Sequence, residues 1–132
     1  MIALDTNVLL RFLTQDDAQQ SARANEIIAA LSADAPAFVS REVVVELVWV
    51  LERSYRYPRA DVADAIEGLL TAAEIDLEAP DDIGRAVAAY RHYGFGFADV
   101  MIAAGAKRAG AEKLVTFDRK AARLPEAEFV GN

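Results

Sequence analysis

Short apolar segments alternate with longer amphipathic segments along the chain, and this alternation constrains the fold more than any other feature of the sequence. Short apolar runs bounded by turn residues are typical of buried strands, which we predict at residues 2–5, 37–39, 74–77, 113–117 and 129–130. Helical spacing of apolar residues predicts helices at residues 8–13, 18–31, 41–57, 60–73, 80–93, 97–109 and 119–123. Strands that alternate with helices are typical of a parallel sheet covered by helices, so we predict an α/β fold, a three-layer α/β/α sandwich with a mainly parallel sheet.

Residue types at the ends of these segments support the predicted boundaries. Thr6 and Asn7 can cap the first helix and Ser40 the third, because their side-chain oxygens accept backbone N–H groups. Pro58 is predicted to end the third helix, since proline disfavours helical backbone before it. Gly110 is predicted to follow the end of the sixth helix in a left-handed conformation.

Size and composition exclude several classes of protein. A chain of 132 residues has the length of one ordinary domain, so we predict a single domain over residues 1–132. The absence of cysteine excludes disulfides and thiolate metal sites and fits a reducing compartment, so we expect a cytoplasmic protein. The first residues lack the basic segment of a signal peptide. No run approaches the roughly 20 apolar residues of a membrane span, so no membrane partner is expected.

Charge is distributed unevenly. The net charge is −7, and an acidic protein is not an obvious nucleic-acid binder. Residues 1–84 carry 6 basic and 16 acidic side chains, whereas residues 85–132 carry 8 basic and 5 acidic ones. A cluster in the second part could hold a polyanion or could be a solvated charged face, and the sequence leaves both open. Its members are Lys107, Arg108, Lys113, Arg119, Lys120 and Arg123.

Four acidic residues interrupt or directly follow apolar segments. Asp5 ends the first predicted strand, and Asp118 follows the fourth. Glu46 lies within the apolar third helix, and Asp99 lies near the start of the sixth. A carboxylate on an apolar element is unfavourable unless it is paired or bound to metal. Sites in open parallel sheets form beyond the carboxyl ends of the strands, so we predict that the four acids share one acidic pocket.

Such a pocket predicts a particular chemistry. Two carboxylates about 4 Å apart repel each other by roughly 4 kcal/mol at an effective dielectric constant near 20. The pocket therefore needs protons or a divalent cation. Oxygen ligands without cysteine suit Mg²⁺, or Mn²⁺, rather than Zn²⁺. Because Mg²⁺ held by carboxylates also binds water and phosphate oxygens, we predict hydrolysis of a phosphodiester.

Four motifs together carry a resemblance to a known family. They are Leu4-Asp5-Thr6-Asn7, the helix from Ser40 to Glu46, residues 97–104 (Phe-Ala-Asp-Val-Met-Ile-Ala-Ala) and residues 115–119 (Val-Thr-Phe-Asp-Arg). In this order and spacing the chain resembles a PIN-domain ribonuclease, specifically the VapC toxins of type II toxin–antitoxin pairs. One departure follows Asp118, where Lys120 and Ala121 stand in place of the further acid and aromatic residue of many relatives.

The resemblance implies a function and a set of site residues. It implies an endoribonuclease toxin in which Asp5, Glu46, Asp99 and Asp118 are both the catalytic and the metal-binding acids. Thr6, Asn7 and Thr116 would support these acids through hydrogen bonds. The cofactor would be Mg²⁺, with Mn²⁺ as an alternative, and the partners would be RNA and a VapB-like antitoxin that places an Arg or Lys near the acids. We expect Lys107, Arg108, Arg119, Lys120 and Arg123 to contact the RNA.

Other interpretations of the same residues stay open. Taken alone, Asp5 and Asp99 could be helix caps, Asp118 a turn residue and Glu46 a surface residue, with Glu42 as a substitute acid. His92, the single histidine, is more typical of a helix end than of a catalytic site. Phe95 and Phe97 are first interpreted as core or interface residues, with stacking on a base as the alternative.

Three other functions compete with a toxin. A phosphatase with Asp5 as nucleophile would need a second acid at position 7, where this chain has Asn7. An RNA-processing PIN nuclease that is not a toxin would use the same four acids. A binding module that retains an acidic pocket without catalysis is the third.

The third predicted helix also suggests a homodimer. Val43, Val44, Val45, Leu47, Val48, Trp49, Val50 and Leu51 would cover most of its circumference. A helix that is apolar all round is buried on several sides, and in a small domain a partner subunit can cover one of them.

Overall fold

The computed structural model describes every residue from Met1 to Asn132 and confirms an α/β architecture with parallel strands. Contacts within the chain separate it into two units, Met1–Pro80 and Asp81–Asn132. The single domain over residues 1–132 stays a prediction. None of the helices combines the length and the apolar composition that a membrane-spanning helix requires.

The first unit contains a parallel sheet and four helices. Its three strands are β1 (Ile2–Ala3), β2 (Ala37–Val39) and β3 (Ile75–Leu77), and they lie side by side in that order, with Ile2 opposite Ala37 and Ala37 opposite Ile75. Parallel neighbours need a long crossover, and the helices provide it. The elements are β1 (Ile2–Ala3), α1 (Thr6–Thr14), α2 (Ala18–Ala29), β2 (Ala37–Val39), α3 (Arg41–Arg53), α4 (Arg59–Thr71) and β3 (Ile75–Leu77).

The core of the first unit lies around the central strand β2. Ala37 and Val39 of this strand are fully buried. The helices contribute an apolar stripe each, at helical spacing. Their fully buried side chains include Leu9, Val44, Leu47, Leu51, Val62 and Ile66.

The second unit contains two helices and a pair of parallel strands. Its elements are α5 (Pro80–Tyr93), α6 (Phe97–Arg108), β4 (Leu114–Thr116), a 3₁₀ turn (Ala121–Arg123) and β5 (Ala127–Phe129). Leu114 pairs with Ala127 and Thr116 with Phe129. The predicted last strand at residues 129–130 therefore begins two residues too late and ends one residue too late.

Helix ends correct two predictions about the first unit. Asp5, not Thr6 or Asn7, is the N-cap of α1. Helix α3 ends at Arg53 and does not reach residue 57, and Pro58 instead stands at the N-cap of α4. The predicted cap at Ser40 is confirmed, since its side chain accepts from the Val43 amide at 3.2 Å. The predicted left-handed conformation of Gly110 is also confirmed, with φ of 84°.

Helix α3 ends early because contacts distant in sequence hold the residues after it. The Tyr55 hydroxyl donates to Asp16 at 2.7 Å and accepts from Arg11 Nη1 at 3.0 Å. Arg56 adopts a left-handed backbone conformation with φ of 54°, and a right-handed helix cannot continue through such a residue. These bonds to residues near the ends of α1 and α2 take the chain out of the helix before Pro58.

Candidate active site

Asp5 lies at the start of α1, where its carboxylate is exposed. The chain leaves β1 at Ala3 and enters the helix at Thr6, so an extended Asp5 (φ −83°, ψ 164°) directs its side chain to the helix N-terminus. Oδ1 accepts from the Thr6 amide at 2.7 Å. The partial positive charge of the helix N-terminus also attracts this carboxylate. Asp5 therefore presents a fixed, charged carboxylate to solvent.

Glu46 lies on the outer face of α3 and is exposed. The side chains at positions 42, 46, 49 and 53 share this face, since their spacing follows the helical period. The expectation that the carboxylates of Glu46 and Asp5 are energetically unfavourable on apolar elements is therefore wrong, because water reaches both. Each has the accessibility that a ligand to a soluble ion requires.

Asp99 is the least exposed of the four candidate acids. It lies in the first turn of α6 and is only partly exposed. Burial raises the pKa of this carboxyl above its ordinary value of 3.8, and the negative charge of Asp118 raises it further, while Lys120 opposes the shift. The structure contains no hydrogen bond that would stabilise its charge. A carboxylate in this state is a candidate functional group.

Gly96 makes room for the Asp99 carboxylate. A Cβ atom at residue 96 would lie 2.8 Å from Oδ2 of Asp99, closer than real Cβ contacts. Gly96 is also the N-cap of α6 and offers no capping side chain. In the sequence this glycine only separates two predicted helices, whereas in the structure it leaves the space that the Asp99 carboxylate occupies.

Asp118 stands in the turn between β4 and the 3₁₀ turn. Its Oδ1 accepts from the amides of Lys120 and Ala121 at 2.8 and 2.9 Å. The Thr116 hydroxyl accepts from the Asp118 amide at 3.0 Å. Thr116 thus fixes the backbone of Asp118, and the turn amides fix its carboxylate, which stays exposed.

The hydroxyl of Thr6 is a second unusual group at the start of α1. Its Oγ1 is buried and has no hydrogen-bond partner. Buried polar atoms without a partner are rare in folded proteins, so such an atom next to Asp5 calls for an explanation. Asn7, the other predicted supporting residue of this motif, is exposed in the first turn of α1.

The donor set fits a hard divalent cation, although the grouping of the acids is not complete in either unit. Carboxylate oxygens are the ligands that Mg²⁺ prefers. Asp99 and Asp118 in the second unit are close enough for one charge to act on the other. Neither unit taken by itself groups three or more acids or histidine closely enough to hold a metal ion. The four acids as a metal site therefore stay a prediction.

The basic cluster divides into engaged and free side chains. Arg108 donates to Asp82 at 2.6 and 3.2 Å, and Arg119 lies over the ring of Phe129 at 4.3 Å. Lys113 pairs with Glu128. Lys107 and Lys120 are exposed, as is Arg123 at the end of the 3₁₀ turn. The sequence could not separate these classes, because their partners are distant in sequence.

Asp82 is the residue that sequence reasoning misjudged most. Its position among the first residues of a predicted helix favours a helix cap, but its side chain is only 2% exposed and binds Arg85 and Arg108 at 2.6 Å each. Burial acts to raise the pKa of Asp82, yet the hydrogen bonds and charges of the two arginines outweigh it and hold the pKa below its usual value. Asp82 therefore joins α5 to the end of α6.

We expect Asp82→Asn to lower the free energy of unfolding by about 2 kcal/mol, because the charge assistance of its three hydrogen bonds to Arg85 and Arg108 is lost. The loss is smaller than for a fully buried pair, since both guanidinium groups are more than half exposed. Urea unfolding at neutral pH measures it. Asp81→Asn, at the exposed neighbouring position, should change stability by less than about 0.5 kcal/mol. Equal losses in the two variants would contradict the role of Asp82.

Two aromatic residues near the acids also differ from expectation. Phe97 is 3% exposed and packs edge-on against Tyr90, so the prediction that Phe97 could stack on a base is wrong. Phe117, which directly precedes Asp118, is 78% exposed. The sequence predicted that Phe117 ends a buried strand, because no sequence pattern distinguishes this exposed residue from a buried strand residue. Phe95 is half-buried, and its stacking role stays a prediction.

The fold and these residues define an α/β protein with acids beyond the ends of parallel strands and at the starts of helices. The PIN domain family model matches residues 2–127. The VapC ribonuclease of Aquifex aeolicus (strain VF5) is 30% identical over 125 residues, which cover 94% of this chain and 92% of that protein. The chain belongs to the PIN domain family and is VapC-like, as its four motifs predicted.

Proposed function

We propose that the protein is a Mg²⁺-dependent endoribonuclease that acts as the toxin of a toxin–antitoxin pair in the cytoplasm. The observation that carries this proposal is Asp99, a partly desolvated carboxylate beside the charge of Asp118 and without a hydrogen-bond donor. A cation would relieve both penalties at once. The family membership and the similarity to a VapC ribonuclease support the same chemistry.

Within this proposal Asp5, Glu46, Asp99 and Asp118 hold the metal. A bound Mg²⁺ supplies Lewis-acid chemistry, which offsets charge on a phosphodiester and makes water a better nucleophile. The protein keeps its carboxylates in place: the Thr6 amide binds Asp5, and the turn amides bind Asp118. The Thr116 hydroxyl adds to this support by accepting from the Asp118 amide. Asn7 and Thr6, whose hydroxyl has no hydrogen-bond partner, are proposed as further supporting residues. Mn²⁺ can replace Mg²⁺ because both prefer oxygen ligands.

The basic cluster is proposed to hold the RNA backbone. Lys107, Lys120 and Arg123 are exposed, and Arg108 and Arg119 are exposed in part despite their contacts. Positive side chains on this part of the chain attract phosphates that the acidic remainder would repel. Lys120 belongs to both parts of the proposal, since its charge also opposes the rise in the pKa of Asp99 that burial and Asp118 cause.

Cleavage of total cellular RNA by the purified protein tests the proposed function. We expect new RNA ends in Mg²⁺ and none in EDTA, because the proposed ligands act through the ion. Mapping the ends shows whether cleavage is internal and at which sequences. Cleavage that is equal in Mg²⁺ and EDTA would contradict metal dependence, and no cleavage under any condition would favour a binding module with a retained acidic pocket.

The antitoxin is the proposed protein partner. A VapB-like chain would place an Arg or Lys near the acids, where a guanidinium can pair with two carboxylate oxygens at once. Such a cation competes with Mg²⁺ for the same oxygens. The partner would thereby hold the nuclease inactive until it is released or degraded.

A homodimer is also proposed, on a narrower basis than the sequence suggested. Val44, Leu47, Val48 and Leu51 of α3 are buried within the chain, so the helix is not apolar all round. The large apolar side chain that α3 leaves exposed is Trp49, at 55%. The Arg53 guanidinium carbon lies over the Trp49 ring, 5.7 Å from the ring centroid. A second subunit can cover this residue.

We expect light scattering to give the mass of a dimer at micromolar concentrations, and Trp49→Glu to shift it towards the monomer by placing a charge in the interface. Phe117→Glu is the matched control, since Phe117 is also exposed but lies outside α3. A wild-type protein that is monomeric across this range would reject the dimer. Dissociation by both variants alike would place the interface elsewhere than at Trp49.

A further inference from the structure

A groove lies between α1 and α2 in the first unit and has a volume of about 230 Å³. Its floor is apolar and its rim is polar, which is the composition of a site for a small planar group. The floor is formed by Val8, Ala24 and Ile27, and the rim by Asn7, Arg11, Gln20 and Arg23.

The residues that line the groove include basic but no acidic side chains, whereas the unit around it is acidic. The first unit carries 6 basic and 14 acidic residues. None of the seven residues that line the groove is acidic, and two of them are arginines. A surface that excludes carboxylates within so acidic a unit favours an anionic ligand over a cationic one.

The two arginines differ in freedom. Arg11 is held rigidly, since its guanidinium donates to Gln20 Oε1 at 2.7 Å, to Asp16 at 3.1 Å and to the Tyr55 hydroxyl at 3.0 Å. Arg23 is 70% exposed and pairs with Glu26, itself 68% exposed. An exposed pair of this kind contributes about 0–1 kcal/mol, so Arg23 can exchange its partner for a phosphate.

The groove begins beside Asp5. Asn7 and Val8 lie in the first turn of α1, whose N-cap is Asp5. Arg11 lies about 9 Å from Asp5 along the helix axis, at a rise of 1.5 Å per residue. A chain of nucleotides held at Asp5 would therefore meet the groove within its next residues.

We propose that the groove between α1 and α2 binds one nucleotide of single-stranded RNA next to the cleaved bond, an inference that rests on the proposed ribonuclease function. The base lies on the apolar floor of Val8 and Ile27. The amide groups of Asn7 and Gln20 hydrogen-bond its edge; Gln20 keeps its NH₂ for this, because its oxygen already accepts from Arg11. Arg23 binds the adjoining phosphate.

Arg23→Glu tests the proposal with a matched control. We expect KM for a short single-stranded RNA to rise about tenfold and kcat to stay unchanged, with the dependence of log KM on log salt reduced by about one unit. Arg56→Glu makes the same charge change at an exposed arginine of the same unit that does not line the groove. It should leave KM close to wild type. Equal rises in both variants would overturn the groove in favour of general electrostatics.

A substrate series with one abasic position at a time gives a second, independent readout. One position next to the cleaved bond should raise KM in the wild-type protein and have much less effect in Arg23→Glu. The proposal is overturned if every position behaves alike in both proteins, or if Arg23→Glu weakens an acidic peptide partner and not RNA. Failure of the wild-type protein to cleave any RNA would instead overturn the proposed function, so the two failures are distinguishable.

Discussion

Asp99→Asn is expected to lower RNA cleavage by about a thousandfold while the protein stays folded. Loss of one metal ligand is expected to remove several kcal/mol of the stabilisation that the metal would give to the transition state. Each 1.36 kcal/mol corresponds to a tenfold change in rate. The amide is nearly the same size as the carboxylate, so the space above Gly96 still accommodates it. Single-turnover cleavage in Mg²⁺ measures the effect.

Without metal, the same substitution is expected to raise the melting temperature at neutral pH. The pKa of Asp99 is raised above its ordinary value of 3.8 by burial and by Asp118. A raised acid pKa means that the folded state gains stability while the group is protonated and loses it as pH rises through the folded pKa. At neutral pH the wild-type protein has lost that contribution, and Asp99→Asn restores it.

Asp61→Asn is the matched control for both measurements. Asp61 is an exposed acid in the first turn of α4, as Asp99 is a first-turn acid of α6, and it is not a proposed ligand. It should keep wild-type cleavage and should not gain stability. Wild-type cleavage by Asp99→Asn, or an equal loss in both variants, would remove Asp99 from the proposed site.

The sequence predicted the order of helices and strands because each element carries its own signal. The strand β2 is an apolar run after Pro36, and α3 follows the capping residue Ser40. These signals act over a few residues and need no information about distant contacts. The same holds for Gly110, whose positive φ ends α6.

What the sequence could not predict depends on contacts between distant residues. Helix α3 ends at Arg53 because Tyr55 bonds to Asp16, 39 positions earlier in the chain. Asp82 is buried because Arg108, 26 positions later, binds it. Nothing in the neighbourhood of either residue signals these partners, and the local pattern therefore gave a longer helix and a simple cap.

The candidate acids show the same division. The positions of Asp5, Asp99 and Asp118 at strand ends and helix starts and of Glu46 within a helix followed from the pattern, but the exposure of the four side chains did not. Glu46 is surrounded by valine and leucine in the sequence, yet the helical period turns it to solvent together with Trp49. Asp99 is perturbed through Asp118, a neighbour that only the folded chain provides.

Expression of the wild-type protein alone is expected to arrest growth of a bacterial host even at low copy number. An enzyme with a turnover on the order of 10 s⁻¹ makes about 10⁴ cuts in a generation of roughly a thousand seconds. A binding module inhibits only one target molecule per copy. Growth at graded expression levels therefore distinguishes catalysis from binding, and co-expression of the cognate antitoxin should restore growth.

Asp5→Asn is the variant that completes this test, because it keeps the N-cap of α1 with an amide oxygen but removes the charge that a metal needs. It should be tolerated at expression levels that stop growth with the wild-type protein. Toxicity of both proteins at equal levels would mean that harm does not require the proposed metal site. A wild-type protein that cleaves RNA in vitro yet is harmless at high expression would favour the non-toxin alternative, an RNA-processing nuclease with the same four acids.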